Sequence, residues 1–251
     1  IGLDESEQLI LTQKFAWGYG SQPPLYTWMQ MVFFKIFGVS VFALALFKNL
    51  LLFGVYAFTY FNVRFVTRSH LCGMLGAISL LFIPEVVWES QRDLTHSVLA
   101  TALVTATLFV FLRMRENSWR DYAFFGLCVG LGILSKYNYA AFLFGAVFSA
   151  LTLRRFRPLI LNRRMALSLA VCFAVLSPHL LWAFGHRGLL TTTTYKFQMA
   201  QQSPFLPVVA TGLARLLVAA FFHVAPILLI VALIFRKNIF SKSAFEKNDF
   251  A

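Results

Sequence analysis

The sequence contains few charged side chains for its length. Only 13% of its 251 residues are charged, whereas 59% are hydrophobic; a typical soluble domain has about 25% charged residues. A water-soluble protein of this size cannot cover so much apolar surface with so few charges. The shortage of charge therefore excludes an ordinary soluble domain and favours a protein that is dissolved in a lipid bilayer.

Cysteine and the common metal-binding spacings are also scarce. The three cysteines are Cys72, Cys128 and Cys172, and all lie in apolar runs. No C-x-x-C, H-E-x-x-H or N-x-[ST] pattern occurs. We interpret the cysteines as small buried hydrophobes rather than disulfides or metal ligands. The sequence predicts no definite cofactor, although paired acids can hold a divalent metal ion near a phosphate.

Seven apolar runs approach the length of a spanning helix, which needs about 20 residues with a range of roughly 17–25. They are Ser40–Asn62, His70–Trp88, Leu94–Leu112, Asp121–Tyr137, Asn138–Leu153, Met165–Phe184 and Pro207–Phe235. The sequence thus predicts an all-α, polytopic transmembrane helical bundle.

Three parts follow from these runs. Residues 1–39 are predicted to form an outer, periplasmic loop that is rich in acid and contains an interfacial helix, and residues 40–235 the transmembrane domain. Residues 236–251 are predicted to form a cytoplasmic tail or the start of a truncated remainder. The sequence starts without Met or a signal peptide, so we expect a fragment that lacks a first span.

The basic residues alternate between successive loops. Fourteen of the 22 basic residues lie on one set of loops: Arg64, Arg68, Arg113, Arg115, Arg120, Arg154, Arg155, Arg157, Arg163, Arg164, Arg236, Lys237, Lys242 and Lys247. The opposite set holds only Lys14, Arg92, Lys136, Arg187 and Lys196. Basic loops stay in the cytoplasm. The net charge of +12 therefore reflects topology, not a nucleic-acid partner, and predicts a multi-pass protein of the inner (plasma) membrane.

Six of the ten acidic residues lie on the predicted outer side: Asp4, Glu5, Glu7, Glu85, Glu89 and Asp93. The positive-inside rule says little about acids, so their clustering is separate information. Between the first acids and the first span, Pro23 and Pro24 interrupt the chain, and Leu25–Phe37 is predicted to form a short helix along the outer membrane surface. This arrangement would hold a carboxylate close to lipid headgroups.

Three stretches resemble the GT-C membrane glycosyltransferases. They are most similar to the bacterial branch related to dolichyl-phosphate-mannose protein mannosyltransferases (family 39), which includes lipid A aminoarabinose transferases. The first stretch is Asp4-Glu5, then Pro23-Pro24-Leu25-Tyr26-x-Trp28 and Phe37-Gly38, with Gln22 at the usual His position. The second is Gly130-Leu131-Gly132-Ile133-Leu134-Ser135-Lys136-Tyr137, and the third is Pro178-His179-x-x-Trp182. The resemblance covers nearly the whole chain.

The resemblance implies transfer of a sugar from a polyprenyl-phosphate donor to a lipid, glycan or protein acceptor at the outer face. Such chemistry needs a base for the acceptor's proton and cations for the departing phosphate. Asp4 is the predicted base, with Glu5 as its support. The family often has Thr-Asp at the start of the third span, where this chain has Thr95-His96. Either His96 replaces the second acid or Asp93 takes its role; both options stay open.

Several further side chains are predicted to contact the substrate or its lipid phosphate. Lys136 is the first of these, because a lone lysine at the outer end of two short spans goes against the charge bias. The others are Arg92, Tyr137, His179, Arg187, Lys196 and Arg215. The predicted partners are thus the lipid-linked donor, its acceptor and membrane lipids.

Two other functions compete with the enzyme. A transporter or lipid flippase would place ionisable residues within the membrane, as Lys48, Arg215 and His223 are placed in apolar runs. The absence of an internal repeat and the outer position of most acids favour the enzyme. A non-catalytic assembly subunit would leave the outer acids without a function.

Overall fold

The computed structural model describes residues 2–20, 22–92, 94–186, 188, 209, 211–215, 217, 218 and 221. The chain divides into two units, residues 1–193 and 194–251. In the second unit the described residues are helical. Most of the predicted seventh span lies outside the described residues, so that span stays a prediction.

Most of the described part of the first unit is helical. Its α-helices are α1 (Leu3–Leu11), α2 (Leu25–Phe37), α3 (Val41–Thr67), α4 (His70–Ser79), α5 (Ser90–Arg92), α6 (His96–Leu112), α7 (Trp119–Ser135), α8 (Tyr139–Thr152), α9 (Arg157–Ile160) and α10 (Met165–Gly185). A 3-10 turn (Leu80–Phe82) and a π-helix (Glu85–Glu89) lie between α4 and α5. No β-strand occurs among the described residues, and the predicted all-α class is confirmed.

Two described helices, α3 and α10, are long and apolar enough to cross a bilayer. Three shorter apolar stretches cover residues 70–82, 96–112 and 139–152. The prediction of a span over Met165–Phe184 agrees closely with α10. The total of seven spans stays a prediction.

Pro84 divides the second predicted span. Ile83, directly before it, has an extended backbone, as expected of a residue that precedes proline. Proline also lacks the amide N–H that an α-helical pattern needs. The stretch His70–Trp88 is therefore not one continuous helix, although its hydropathy predicted one.

The acidic pair lies in a helix rather than in a loop. Asp4 and Glu5 occupy the first turn of α1, where carboxylates interact favourably with the helix dipole. The Glu5 side chain also accepts a hydrogen bond from the backbone N–H of Gly2 (3.2 Å). The prediction of an outer acidic loop is corrected in this respect, because these local contacts favour a helix.

Helix α2 has the predicted bounds, Leu25–Phe37. Pro24 precedes its first residue, and Gly38 ends it with a φ of +75°, a conformation that glycine adopts without steric cost. One face of α2 is buried, and the helix packs against α3 and α7. Helix α2 is thus packed against the bundle, and its position at the outer membrane surface stays a prediction.

Helices α3 and α6 run parallel to each other. Lys48 of α3 contacts the carbonyl oxygen of Gln91, just before α6. Fourteen positions further along both segments, Asn62 of α3 donates a hydrogen bond to the Thr105 carbonyl of α6 (2.9 Å). The N-terminal halves of both helices therefore face the acidic helix α1.

Helix α7 packs closely against α10 and α8 through glycines. A Cβ atom on Gly126 would lie 2.3 Å from the Ser168 carbonyl oxygen, and one on Gly132 would lie 2.2 Å from the Tyr139 ring. These positions require the absence of a side chain, as the small-residue pattern predicts for membrane helices. The packing fixes the turn between α7 and α8, which carries Lys136.

Candidate active site

The first turn of α6 brings the predicted base and the predicted phosphate-binding lysine together. The Thr95 backbone N–H and hydroxyl both donate to Oδ2 of Asp4 (3.3 and 3.4 Å). Two residues on, the Ser97 hydroxyl accepts a hydrogen bond from Nζ of Lys136 (2.6 Å). Asp4 and Lys136 also both interact electrostatically with His96, which lies between these two contacts. A carboxylate and an ammonium group therefore flank one helix end.

The Glu5 side chain contacts a different helix from the one that Asp4 contacts, although both acids belong to α1. Its Oε1 atom lies 2.5 Å from Nζ of Lys48 in α3, and the exposed side-chain fractions are 14% for Glu5 and 2% for Lys48. Nζ of Lys48 also lies 3.4 Å from the Gln91 carbonyl oxygen. The two neighbouring acids thus attach α1 to α6 and to α3, respectively.

His96 lies in a buried hydrogen-bond chain. Its Nδ1 atom is 3.3 Å from the Ser135 carbonyl oxygen, which can only accept, so Nδ1 carries the proton. Nε2 then accepts from the Gln8 amide (3.3 Å), and the Gln8 oxygen accepts from the Thr27 hydroxyl (2.9 Å). At the position where the resemblance implies an acid, a neutral histidine links α6 to α7, α1 and α2.

Tyr26 lies next to the acids, and the sequence reasoning did not select it as a site residue. Its side chain is fully buried, and its hydroxyl has no hydrogen-bond partner among the described residues. The ring packs on Phe47 and His96, with centroid distances of 4.9 and 5.4 Å. Burial and the nearby charges of Glu5 and Asp4 raise the pKa of Tyr26. The group is therefore a neutral phenol with a proton to donate.

Tyr137 and His179 connect the turn between α7 and α8, helix α10 and the loop between α1 and α2. Nε2 of His179 accepts from the Tyr137 hydroxyl (2.8 Å), and Nδ1 donates to the Trp17 carbonyl oxygen (2.8 Å). Nearby, the Trp182 ring lies against the backbone of Gly18, where a Cβ atom would be 2.1 Å from the ring. The third resembling stretch, Pro178-His179-x-x-Trp182, thus holds the loop between α1 and α2 in place.

A cavity of about 270 Å³ adjoins the Ser97–Lys136 contact. It lies between α3, α6 and the π-helix, and most of its lining is apolar. Its lining residues are Leu52, Val55, Glu85, Val86, Ser90, Leu94, Ser97, Val98 and Thr101. It can accommodate an apolar chain next to a polar headgroup.

The described part of the chain does not place the remaining predicted site residues in this site. Asp93, Arg187 and Lys196 lie outside the described residues, and only the backbone of Arg92 is described. Arg215 lies in a helical part of the second unit. No group of three or more His, Cys, Asp or Glu side chains that could hold a metal ion occurs among the described residues.

Sequence reasoning did not predict the positions of three residues near the site: Lys48, Tyr26 and Gln8. A signal existed for Tyr26, because it belongs to the Pro-Pro-Leu-Tyr stretch, and for Lys48, because a lysine inside an apolar run needs a partner. Nothing in the local sequence of Gln8 marks it as a buried residue.

Comparison with known proteins identifies the family of the chain. The model of the family described as dolichyl-phosphate-mannose-protein mannosyltransferase matches residues 21–182. The chain is 35% identical over 241 residues to the lipopolysaccharide core galacturonosyltransferase RgtB of Rhizobium johnstonii, covering 95% of this chain and 49% of RgtB. It is 33% identical over 241 residues to RgtA of the same organism, covering 94% of this chain and 48% of RgtA.

The chain therefore spans about half the length of these curated relatives. No solved structure matches it. The family match extends over more than half of the chain and includes the α2 motif, Lys136 and His179. This chain belongs to the dolichyl-phosphate-mannose-protein mannosyltransferase family of GT-C membrane glycosyltransferases.

Proposed function

We propose that this chain is part of an enzyme that transfers a galacturonosyl residue to the core of lipopolysaccharide. The donor is a polyprenyl-phosphate sugar, and transfer takes place at the outer face of the inner membrane. The names of the relatives RgtA and RgtB support the sugar and the acceptor. The chain's own residues support the type of donor.

One observation carries the proposal: Asp4 and Lys136 meet at the first turn of α6. Transfer from a lipid phosphate needs a proton acceptor and a cation at the same place. The positive end of the α6 dipole adds to the field that a phosphate would meet there.

The proposed reaction is a displacement at the anomeric carbon. An acceptor hydroxyl attacks this carbon and gives its proton to the Asp4 carboxylate, while the bond between the carbon and the phosphate oxygen breaks. The electron pair of that bond stays on the phosphate, whose charge Lys136 stabilises. Products are the glycosylated acceptor and polyprenyl phosphate.

Glu5 has a supporting role in this scheme. Its carboxylate is engaged by the Lys48 ammonium group at 2.5 Å and by the Gly2 backbone, so it is less available as a base than Asp4. The pair holds α1, and with it Asp4, against the bundle.

The cavity beside Ser97 suits the lipid part of the donor. Its walls include Leu52, Val55, Val86 and Val98, which can contact a prenyl chain. A phosphate at its mouth would reach Lys136, since Ser97 both lines the cavity and binds that lysine.

The substitution Asp4→Asn in the full-length protein tests the base. We expect loss of galacturonosyl transfer by at least about 100-fold, the lower range for a general base, with normal membrane insertion. Glu7→Gln is the matched control, because Glu7 is an exposed acid of the same helix. Transfer by Asp4→Asn at the control's rate would refute the assignment.

One of the observations that favoured a transporter has another explanation. It depended on ionisable groups in apolar runs, and Lys48 is now paired with Glu5 beside the candidate site. A flippase would move intact donor lipid across vesicles without forming a glycosylated product.

A further inference from the structure

A second cleft lies at the opposite ends of α3 and α6 from Asp4. Six residues line it: Phe61, Arg64, Phe65, Arg68, Phe109 and Arg113. Its volume is about 450 Å³. The proposed reaction makes no use of this cleft.

Its arginines lack acidic partners in the described part of the chain. Arg64, Arg68 and Arg113 form no ion pair with a described carboxylate. By contrast, Arg115 in the adjoining cavity is paired with Asp121, with Nε 2.9 Å from Oδ2. The cleft therefore concentrates three positive charges that an anionic ligand would neutralise.

Its other walls are aromatic. Phe61 and Phe65 are 42% and 41% exposed, and the Phe61 and Phe109 rings lie 5.8 Å apart. The Arg113 guanidinium group sits 5.1 Å from the centre of the Phe109 ring. A ligand that fits both surfaces has an anionic group and a hydrocarbon part, which is the composition of a phospholipid.

The position of the cleft across the bilayer also suits a lipid headgroup. Arg64 follows Lys48 by sixteen positions in α3, which corresponds to about 24 Å along a helix. The hydrocarbon core of a bilayer is about 30 Å thick. If Lys48 lies near the outer interface, the arginines lie near the inner interface, on the side that the charge distribution predicts to be cytoplasmic.

We propose that this cleft binds an anionic phospholipid of the inner leaflet. The arginines contact the headgroup phosphate, and an acyl chain lies along Phe61, Phe65 and Phe109. Basic pockets between transmembrane helices on the cytoplasmic side have the chemistry for such headgroups. Free inorganic phosphate has no hydrocarbon part that could contact the aromatic walls.

The test is lipid retention by the purified full-length protein, measured by native mass spectrometry. Delipidated protein is mixed with equal amounts of phosphatidylglycerol and phosphatidylcholine that carry the same acyl chains. We expect selective retention of phosphatidylglycerol by the wild type. A variant with Arg64→Gln, Arg68→Gln and Arg113→Gln should lose this retention, by about fivefold per arginine and on the order of 100-fold in all.

A matched control removes three arginines from another loop on the same predicted side: Arg154→Gln, Arg155→Gln and Arg157→Gln. We expect its retention to stay within about twofold of the wild type. Equal losses in the two triple variants, or equal retention of both lipids by the wild type, would overturn the proposal.

Two further measurements separate lipid binding from its alternatives. Phe65→Ser keeps every charge of the cleft. It should weaken retention of long-chain phosphatidylglycerol more than retention of a short-chain analogue. Equal effects on both lipids would contradict an acyl-chain contact. Millimolar inorganic phosphate should leave the lipid bound, and its release by phosphate would contradict a lipid site. Phe65→Ser also keeps the test decisive if the triple variant fails to fold.

Discussion

Replacement of Lys48 by methionine tests how α1 is held against the bundle. Methionine keeps the apolar length of the lysine stem but removes the charge that lies 2.5 Å from Glu5. Glu5 then stays largely buried without its cation. Loss of one partner of a buried pair costs about 3–5 kcal/mol. Because Glu5 keeps 14% exposure, we expect a loss near the lower value, about 3 kcal/mol.

A double-mutant cycle isolates the contribution of the pair. The free energy of unfolding is measured in detergent by denaturant titration for the wild type, Lys48→Met, Glu5→Gln and the double variant. The double variant removes both charges, so we expect it to regain much of the stability that Lys48→Met loses. Sugar transfer should fall in Lys48→Met because Asp4 moves together with Glu5.

The interaction energy decides the outcome of this cycle. A coupling of at least about 1 kcal/mol would fit a direct contact. A coupling below about 0.5 kcal/mol, the limit for independent sites, would show that Lys48 and Glu5 do not interact and would refute the reasoning.

Three other substitutions give clear expectations. Gly18→Ala should lower sugar transfer at least about tenfold, because the new Cβ atom would lie 2.1 Å from the Trp182 ring. Gly54→Ala is the control and should leave transfer unchanged, because no atom lies within 4 Å of its Cβ position. Equal rates in the two variants would contradict the packing of the loop between α1 and α2 on Trp182. Tyr26→Phe should leave the thermal midpoint unchanged, because the hydroxyl has no described partner. It should lower transfer by up to about tenfold, the effect of losing one neutral hydrogen bond from the phenol to the substrate; unchanged transfer would exclude that contact. His96→Asn can still donate one hydrogen bond, whereas His96→Asp presents a buried carboxylate to a carbonyl oxygen, so the thermal midpoint should fall further in the Asp variant; the reverse order would contradict the neutral histidine.

Much of the helical pattern could be predicted from the sequence. The bounds of α2 follow from Pro24 and Gly38, which act locally, and α10 follows from a long, mostly apolar run that contains no Asp, Glu, Lys or Arg. Pro84 was visible as well, but hydropathy alone does not show that a proline within an apolar run breaks the helix into 3-10 and π segments.

The candidate site was only partly predictable. Asp4 was selected through the resemblance to the family, whereas Lys136 also stood out because a lone lysine on the predicted outer side departs from the charge pattern. The contact between Glu5 and Lys48 joins residues 43 positions apart, and periodicity within one segment carries no information on such a pair. The same holds for His96 and Gln8, which are 88 positions apart.

The most direct test of the central claim is the product balance of the full-length protein in sealed vesicles. Vesicles with a polyprenyl-phosphate donor that carries labelled galacturonate are supplied with lipopolysaccharide core acceptor on the outer side. We predict that labelled acceptor and free polyprenyl phosphate form in equal amounts. Movement of the intact labelled donor across the bilayer without labelled acceptor would contradict the account.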